Sequence, residues 1–265
     1  MDWDALLDPL GIAPTTLGLY AALVGAGVAA GFINTMAGGG SLLTLPALML
    51  LGLPANVANG TNRLAVVTQS LSGALAFHRA GKLHTEAALP VAAPTIAGAV
   101  CGATAAAWTP VAYLEPILLG TLVVMALLMV VRPRAVLADP GEEPRHPWKS
   151  ARALLGLFGA GLYGGYVQAG VGFVLLAVLG GALRYDAVRA NALKLVCTLL
   201  FGVAALAVYV AAGQVRWVPA AVLAVGTVVG AQLGVRFAVK AKAKVLRAII
   251  FVLVVASCVA AWLKP

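Results

Sequence analysis

Chemistry in this chain is available at two cations set inside apolar segments. Arg63 follows Asn59-Gly-Thr-Asn62, and Lys194 follows Asn191-Ala-Leu193 with Thr198 one turn beyond. Each comes after a glycine-rich phrase, Gly31-Phe-Ile-Asn-Thr-Met-Ala-Gly-Gly-Gly-Ser41 in the first half and Gly165-Tyr-Val-Gln-Ala-Gly-Val-Gly172 in the second. A cation within a membrane helix costs roughly 2.5–3.5 kcal/mol on insertion scales. Near a helix start the dipole adds to that cost, so something anionic is expected to offset it. Snorkelling to the interface is the competing explanation. The donor-rich neighbours Asn59, Thr61, Asn62 and Asn191 favour a polar site over an isolated cation at an edge.

Gly38, Gly39 and Gly40 allow a sharp turn that exposes backbone amides, and Ser41 is placed to cap the helix that starts there. The positive end of that helix completes the outline of an anion site. A plain tight turn between packed helices is the alternative, although irregular backbone at membrane depth is tolerated only where protein or a water-filled cavity satisfies it. Gly170 and Gly172 form the matching break, with Gln168 in the place of Asn34. Both amides can donate to an oxyanion or to freed carbonyls, or act as adhesion between helices.

These residues need helices in a membrane to hold them. The chain of 265 residues is 62% apolar and only 10% charged, with a mean hydropathy of +0.99, too little polar surface to cover a soluble particle. The apolar runs are continuous rather than alternating, which predicts helices rather than a β-barrel. About ten segments are expected, at 17–35, 41–53, 58–78, 86–108 and 113–132, then 152–168, 171–183, 188–211, 217–238 and 245–263. A polar stretch separates them, which divides the chain into a first membrane repeat (1–132), a cytoplasmic linker (133–150) and a second membrane repeat (151–265).

A net charge of +9 is explained by its distribution, without nucleic acid as a partner. With the N-terminus outside, Arg79, Lys82, the central linker, Arg184, Arg189 and Arg236 through Arg247 fall on the cytoplasmic side, and only Arg216 and Lys264 fall outside. An odd number of segments per half then makes the two repeats inverted. The expected fold is thus an all-α integral membrane protein of two inverted repeats, about five hydrophobic segments each, with a broken or re-entrant helix at the start of each repeat. The 41–53 and 171–183 segments are too short to span comfortably. Further echoes fit the register: Gly81-Lys-Leu-His84 with Gly213-Gln-Val-Arg216, and Gly98-Ala-Val-Cys-Gly102 with Gly226-Thr-Val-Val-Gly230. The last pair reads as close helix packing.

No Asp or Glu falls deep in any segment, since Glu86 and Glu115 lie at segment starts. Cation pumps and many proton-coupled carriers place carboxylates near mid-membrane, so the expected substrate is an anion. No metal-ligand spacing, serine elbow or paired carboxylate suggests an enzyme or a cofactor. Cys101, Cys197 and Cys258 are expected as small buried hydrophobes. Gly25-Ala-Gly-Val-Ala-Ala-Gly31 lies within a membrane helix, so it is not read as a dinucleotide site. The acidic start, Met1-Asp-Trp-Asp4, lacks a basic leader and is expected to be retained. Lys240-Ala-Lys-Ala-Lys244 is expected to anchor on acidic membrane lipid.

The phrases Gly31 to Ser41 and Asn59 to Asn62, with the looser glycine copy in the second half, resemble the TauE/SafE sulfite exporter family of the toluene sulfonate uptake permease superfamily. The likeness extends over essentially the whole chain. It implies a bacterial inner-membrane carrier for sulfite, thiosulfate, sulfonates or related sulfur-containing anions. It favours Asn34, Gly38, Gly39, Gly40, Ser41, Asn59, Thr61, Asn62 and Arg63, with Gln168, Gly170, Gly172, Asn191 and Lys194 in the second half, as the substrate path. The second break reads Ala-Gly-Val-Gly rather than a triple glycine. A secondary transporter is the leading expectation; a passive anion channel on the same scaffold and a non-transporting assembly partner are the alternatives. A homo-oligomer is compatible with the sequence.

Overall fold

The computed structural model describes residues 14–36, 38–83, 85–131 and 143–240, and their regular structure is entirely helical. In chain order the helices are α1 (Pro14–Met36), α2 (Ser41–Leu50), α3 (Ala55–Arg79), α4 (Thr85–Trp108) and α5 (Val111–Val131). A 3-10 turn at Pro147–Lys149 leads into α6 (Ala151–Tyr166). Next come α7 (Val171–Leu176), which runs on as a π-helix at Ala177–Ala182, then α8 (Ala187–Ala211) and α9 (Trp217–Lys240). The expected segments match these helices to within a few residues. The last expected segment, Cys258, His84 and the Lys242–Lys244 anchor lie outside the described residues.

Among the described residues, four helices have the length and apolarity to cross a membrane: Gly18–Met36 of α1, α4, α8 and Trp217–Val239 of α9. Helix α3 has the length, with 25 residues, but its polar run Asn59, Thr61, Asn62, Arg63 lowers its hydropathy, and all four of those side chains are buried. Helix α2, with 10 residues, is about 15 Å long, and Val171–Ala182 about 18 Å, against a hydrocarbon core of about 30 Å. Each short helix packs back along its predecessor: Leu48 of α2 shares a cluster with Leu23 of α1, and Val178 lies against Gly156 of α6.

Helix α1 packs on α9, and α4 on α6; α3 packs on α9, and α4 on α8; α3 and α8 pack on each other at the centre. Small residues make this closeness possible. A Cβ on Gly31 would strike the backbone of Thr227, and one on Gly230 that of Val28. Gly98 and Gly102 stand likewise against Phe158 and Leu162. The small-residue pattern therefore works in packing. Large apolar side chains such as Leu155, Val225 and Trp108 face outward, where a bilayer would cover them. Cys197 is buried as expected, but Cys101 is exposed, because the tight side of α4 is occupied by Gly98 and Gly102 and Cys101 falls on the other.

The loop turns also come in pairs. Gly81 (φ +66) and Gly213 (φ +68) end α3 and α8 in the same way, with Lys82 donating to the Phe77 carbonyl and Gln214 to that of Tyr209. These are left-handed helix terminations that satisfy the last carbonyls.

Candidate functional site at the two helix breaks

The centre of the molecule is built from two interruptions. After Met36, Gly38 turns at φ +97 with its N–H on the Ile33 carbonyl, and α2 starts at Ser41. After Tyr166, Val167 and Gln168 both donate to the Tyr163 carbonyl, Gly170 turns at φ +72, and α7 starts at Val171. The two interruptions cross backbone to backbone. A Cβ on Gly38 would fall on Gly172, and one on Gly172 would fall on Gly38, so neither position has room for any side chain. Gly38 and Gly172 thus hold the two halves in contact at one point.

A helix that stops inside a membrane protein leaves up to four carbonyls without partners. At the end of α6 these are met from α3 and α8. Arg63 donates through Nη1 to the Gly164 carbonyl, and through Nη2 to the Gly165 carbonyl (2.7 Å) and Asn59 Oδ1 (3.2 Å). Asn59 Nδ2 donates to the Tyr166 carbonyl (2.7 Å) and to Tyr209 Oη (2.8 Å). The Tyr209 hydroxyl lies 3.3 Å from both the Gly165 and Tyr166 carbonyls, and its ring carries the guanidinium 5.0 Å from its centroid.

Among the described residues, two carbonyls at the end of α1 are met from α8. Lys194 Nζ donates to the carbonyls of Asn34 (2.8 Å) and Thr35 (3.2 Å) and to Asn191 Oδ1 (2.9 Å). The arrangement is crossed: the cation on α3 holds the broken helix of the second half, and the cation on α8 holds that of the first. Both side chains are at most 1% exposed, which excludes snorkelling. Both also sit at the negative end of a helix, where a cation is stabilised rather than opposed. Charge-assisted hydrogen bonds of about 1.5–3 kcal/mol each offset part of the burial cost.

The two cations differ in what they have left. An ammonium has three donors, and those of Lys194 are spent on three acceptors. Arg63 Nε is buried and has no partner. Neither cation pairs with a carboxylate among the described residues, so their charge is met by dipoles alone and remains felt at the crossing.

The other expected residues divide. Gly40, not Ser41, is the N-cap of α2, at φ −57 and without a side-chain cap bond. Ser41 is the first helical residue, and its Oγ accepts instead from Asn62 Nδ2 (3.2 Å), whose Oδ1 accepts from Thr44 (2.7 Å). Gly39 and Gly40 are buried in the same turn. Thr61 faces away from the crossing, its Oγ1 accepting from the Arg216 N–H at the start of α9 (3.0 Å). Gly170 packs on Met125 of α5.

Gln168 is the strained member. It is 1% exposed, has a left-handed φ of 68, and neither its Oε1 nor its Nε2 has a partner. A left-handed non-glycine residue costs about 1–2 kcal/mol, and an unpaired buried amide about 1–3 kcal/mol more. Sequence reasoning missed Tyr209 and Tyr163, whose hydroxyl donates to the Ala169 carbonyl across the second break. The only signal available for them was a polar tip in an apolar run.

Two negative observations bound the chemistry. Among the described residues no three His, Cys, Asp or Glu side chains gather into a metal site. A cavity of about 360 Å³, lined by Ile117, Leu162, Tyr163 and Tyr166 among others, flanks α6 but includes none of the expected site residues.

The family model for sulfite exporter TauE/SafE matches residues 23–261. The chain is 30% identical to the probable membrane transporter protein ORF9 of Sinorhizobium sp, over 90% of each chain. It is 28% identical to a probable membrane transporter protein of Haemophilus influenzae, over 86% of this chain and 88% of the relative. It is also 28% identical to the probable membrane transporter protein YfcA of Escherichia coli K12, over 84% and 82%. No solved structure matches. A family match across nearly the whole chain, with membrane-length helices around a polar crossing, makes this protein a member of the sulfite exporter TauE/SafE family of membrane transporters.

Proposed function

We propose that this transporter carries a small sulfur-containing anion, namely sulfite, thiosulfate or an organosulfonate, across the bacterial inner membrane by alternating access between two inverted halves. The observation that carries the reading is the pair of buried cations whose only described partners are carbonyl and amide oxygens and a tyrosine ring. Such a centre keeps a positive potential that favours an anion. The family's name, sulfite exporter, points to sulfur.

The inverted repeat is supported by reciprocity. Each half's first helix packs on the other half's fourth, and each half's third helix supplies the cation for the other half's break. With the N-terminus outside, as the distribution of basic loop residues favours, Arg63 guards the outer approach and Lys194 the inner. The anion would rest at the crossing, against the turn from Gly38 to Ser41 and the break from Gln168 to Gly172. Asn34, Asn59, Asn62 and Asn191 would shape the surrounding polar wall, with Thr61 fixing the outer loop. Arg63 and Lys194 supply charge from behind the helix ends and keep those ends in place. Inward and outward states then differ in which half rocks about the Gly38–Gly172 contact.

Sulfite, thiosulfate, sulfate, taurine and sulfoacetate tested for counterflow in proteoliposomes would check this reading. Saturable, trans-stimulated uptake of at least one sulfur anion is the expected result. Current without exchange would instead indicate a channel, and background flux for every anion would contradict transport of this class.

A further inference from the structure

Gln168 has no structural reason to be glutamine. Its neighbours Val167 and Ala169 are buried in an apolar cluster with Leu118, Ala205 and Tyr209, where an apolar side chain would suit. Its left-handed backbone would suit glycine or asparagine better. Its amide is buried, with the N–H₂ and the carbonyl oxygen both unpaired. A buried amide without a protein partner is the kind of group that a bound ligand can satisfy.

An amide with both functions open is matched by a ligand that both accepts and donates. An oxyanion alone satisfies the N–H₂ and leaves the carbonyl oxygen facing negative charge. The carbonyls of Gly164 and Gly165, just before the break, are held by the buried Arg63 guanidinium, whose charge favours an anion nearby. We propose that Gln168 selects sulfur oxyanion groups that bring their own hydrogen-bond donor, either the monoanion hydrogen sulfite or a zwitterionic sulfonate with an ammonium group, over donor-free anions such as sulfate, thiosulfate and sulfoacetate. The inference rests on the reading of the substrate as a sulfur anion and sharpens it. A site built to pair a donor rejects analogues that lack it more strongly than size or shape does.

The test measures competition against radiolabelled sulfite uptake into proteoliposomes for wild type, Gln168→Gly and Gln168→Asn, together with thermal unfolding of each. Glycine suits the left-handed backbone and removes the amide; asparagine keeps the amide on a shorter stem. Wild type should take up sulfite faster as pH falls and the hydrogen sulfite fraction grows, and taurine should compete at least about tenfold better than sulfate, thiosulfate or sulfoacetate. Gln168→Gly should melt no lower than wild type and bring those competitors within about twofold of one another, with Gln168→Asn restoring part of the ratio. A ratio unchanged in Gln168→Gly would overturn the proposal by showing that the amide is met by water. A marked loss of thermal stability in that variant would overturn it by showing a structural role, and a wild type that takes donor-free anions as well as taurine would do the same. A wild type that transports no sulfur anion would instead defeat the proposed function, and this inference with it.

Discussion

The two helix breaks do the same job with different redundancy. At the end of α6, three carbonyls are shared among Arg63, Asn59 and Tyr209, and the guanidinium is further supported by an aromatic face. At the end of α1, among the described residues, Lys194 alone donates side-chain hydrogen bonds to the Asn34 and Thr35 carbonyls, steadied by Asn191. The first arrangement is a shared cap that can lose a member. The second is a single side chain whose loss frees both carbonyls it holds. The geometry therefore assigns the first-half break as the more easily released of the two.

The largest effects should come from the point both breaks share. Gly38→Ala puts a side chain on the Gly172 backbone and imposes a left-handed φ on it, whereas Gly172→Ala brings the collision alone. Both should abolish transport, with Gly38→Ala losing more stability, roughly 3 kcal/mol or more in a denaturation series. Equal losses would remove the backbone contribution claimed for Gly38.

Removing the cations should separate the breaks next. Lys194→Met and Arg63→Met keep apolar stems and delete the donors. Each should cut transport by about 100-fold, measured as initial uptake. The lysine variant should lose about 2–3 kcal/mol of stability and the arginine variant about 1 kcal/mol less, because Asn59 and Tyr209 continue to cover the Gly165 and Tyr166 carbonyls and leave Gly164 alone open. The reverse order would contradict the redundancy argument.

A smaller effect is expected within the shared cap. Tyr209→Phe keeps the ring beneath Arg63 but removes the hydroxyl that Asn59 and two carbonyls touch. It should cost about 1 kcal/mol and slow transport a few-fold. Thr61→Val, which unpairs only the Arg216 N–H at an outer loop, should cost about 0.5–1 kcal/mol and leave uptake nearly unchanged. An uptake defect in Thr61→Val comparable to Lys194→Met would place Thr61 in the path after all.

Most helix positions were legible because apolar runs and glycine breaks follow from local chemistry. Gly38 and Gly172 stood out as break residues, but not as contacts for each other, since a meeting across the molecule leaves no local trace. Arg63 and Lys194 were legible as costly, and their relation to an anion was inferred from that cost. What offsets them in the structure is the carbonyl ends of α6 and α1, more than a hundred residues away in sequence. Ser41 was expected as a cap because its type and position fit one, but the turn places Gly40 there and turns the serine hydroxyl to Asn62. Gln168 was visible only as the counterpart of Asn34; its strain and its unpaired amide depend on a backbone angle that the residue type argues against.

The central claim is that two crossed cations, each holding the other half's broken helix, create the charged centre through which an anion is exchanged. Sulfite counterflow in proteoliposomes, run on wild type, Arg63→Met and Lys194→Met with matched folded protein, tests it most directly. The account predicts trans-stimulated uptake by wild type and near-background flux for both variants. Wild-type exchange retained in both variants would contradict it.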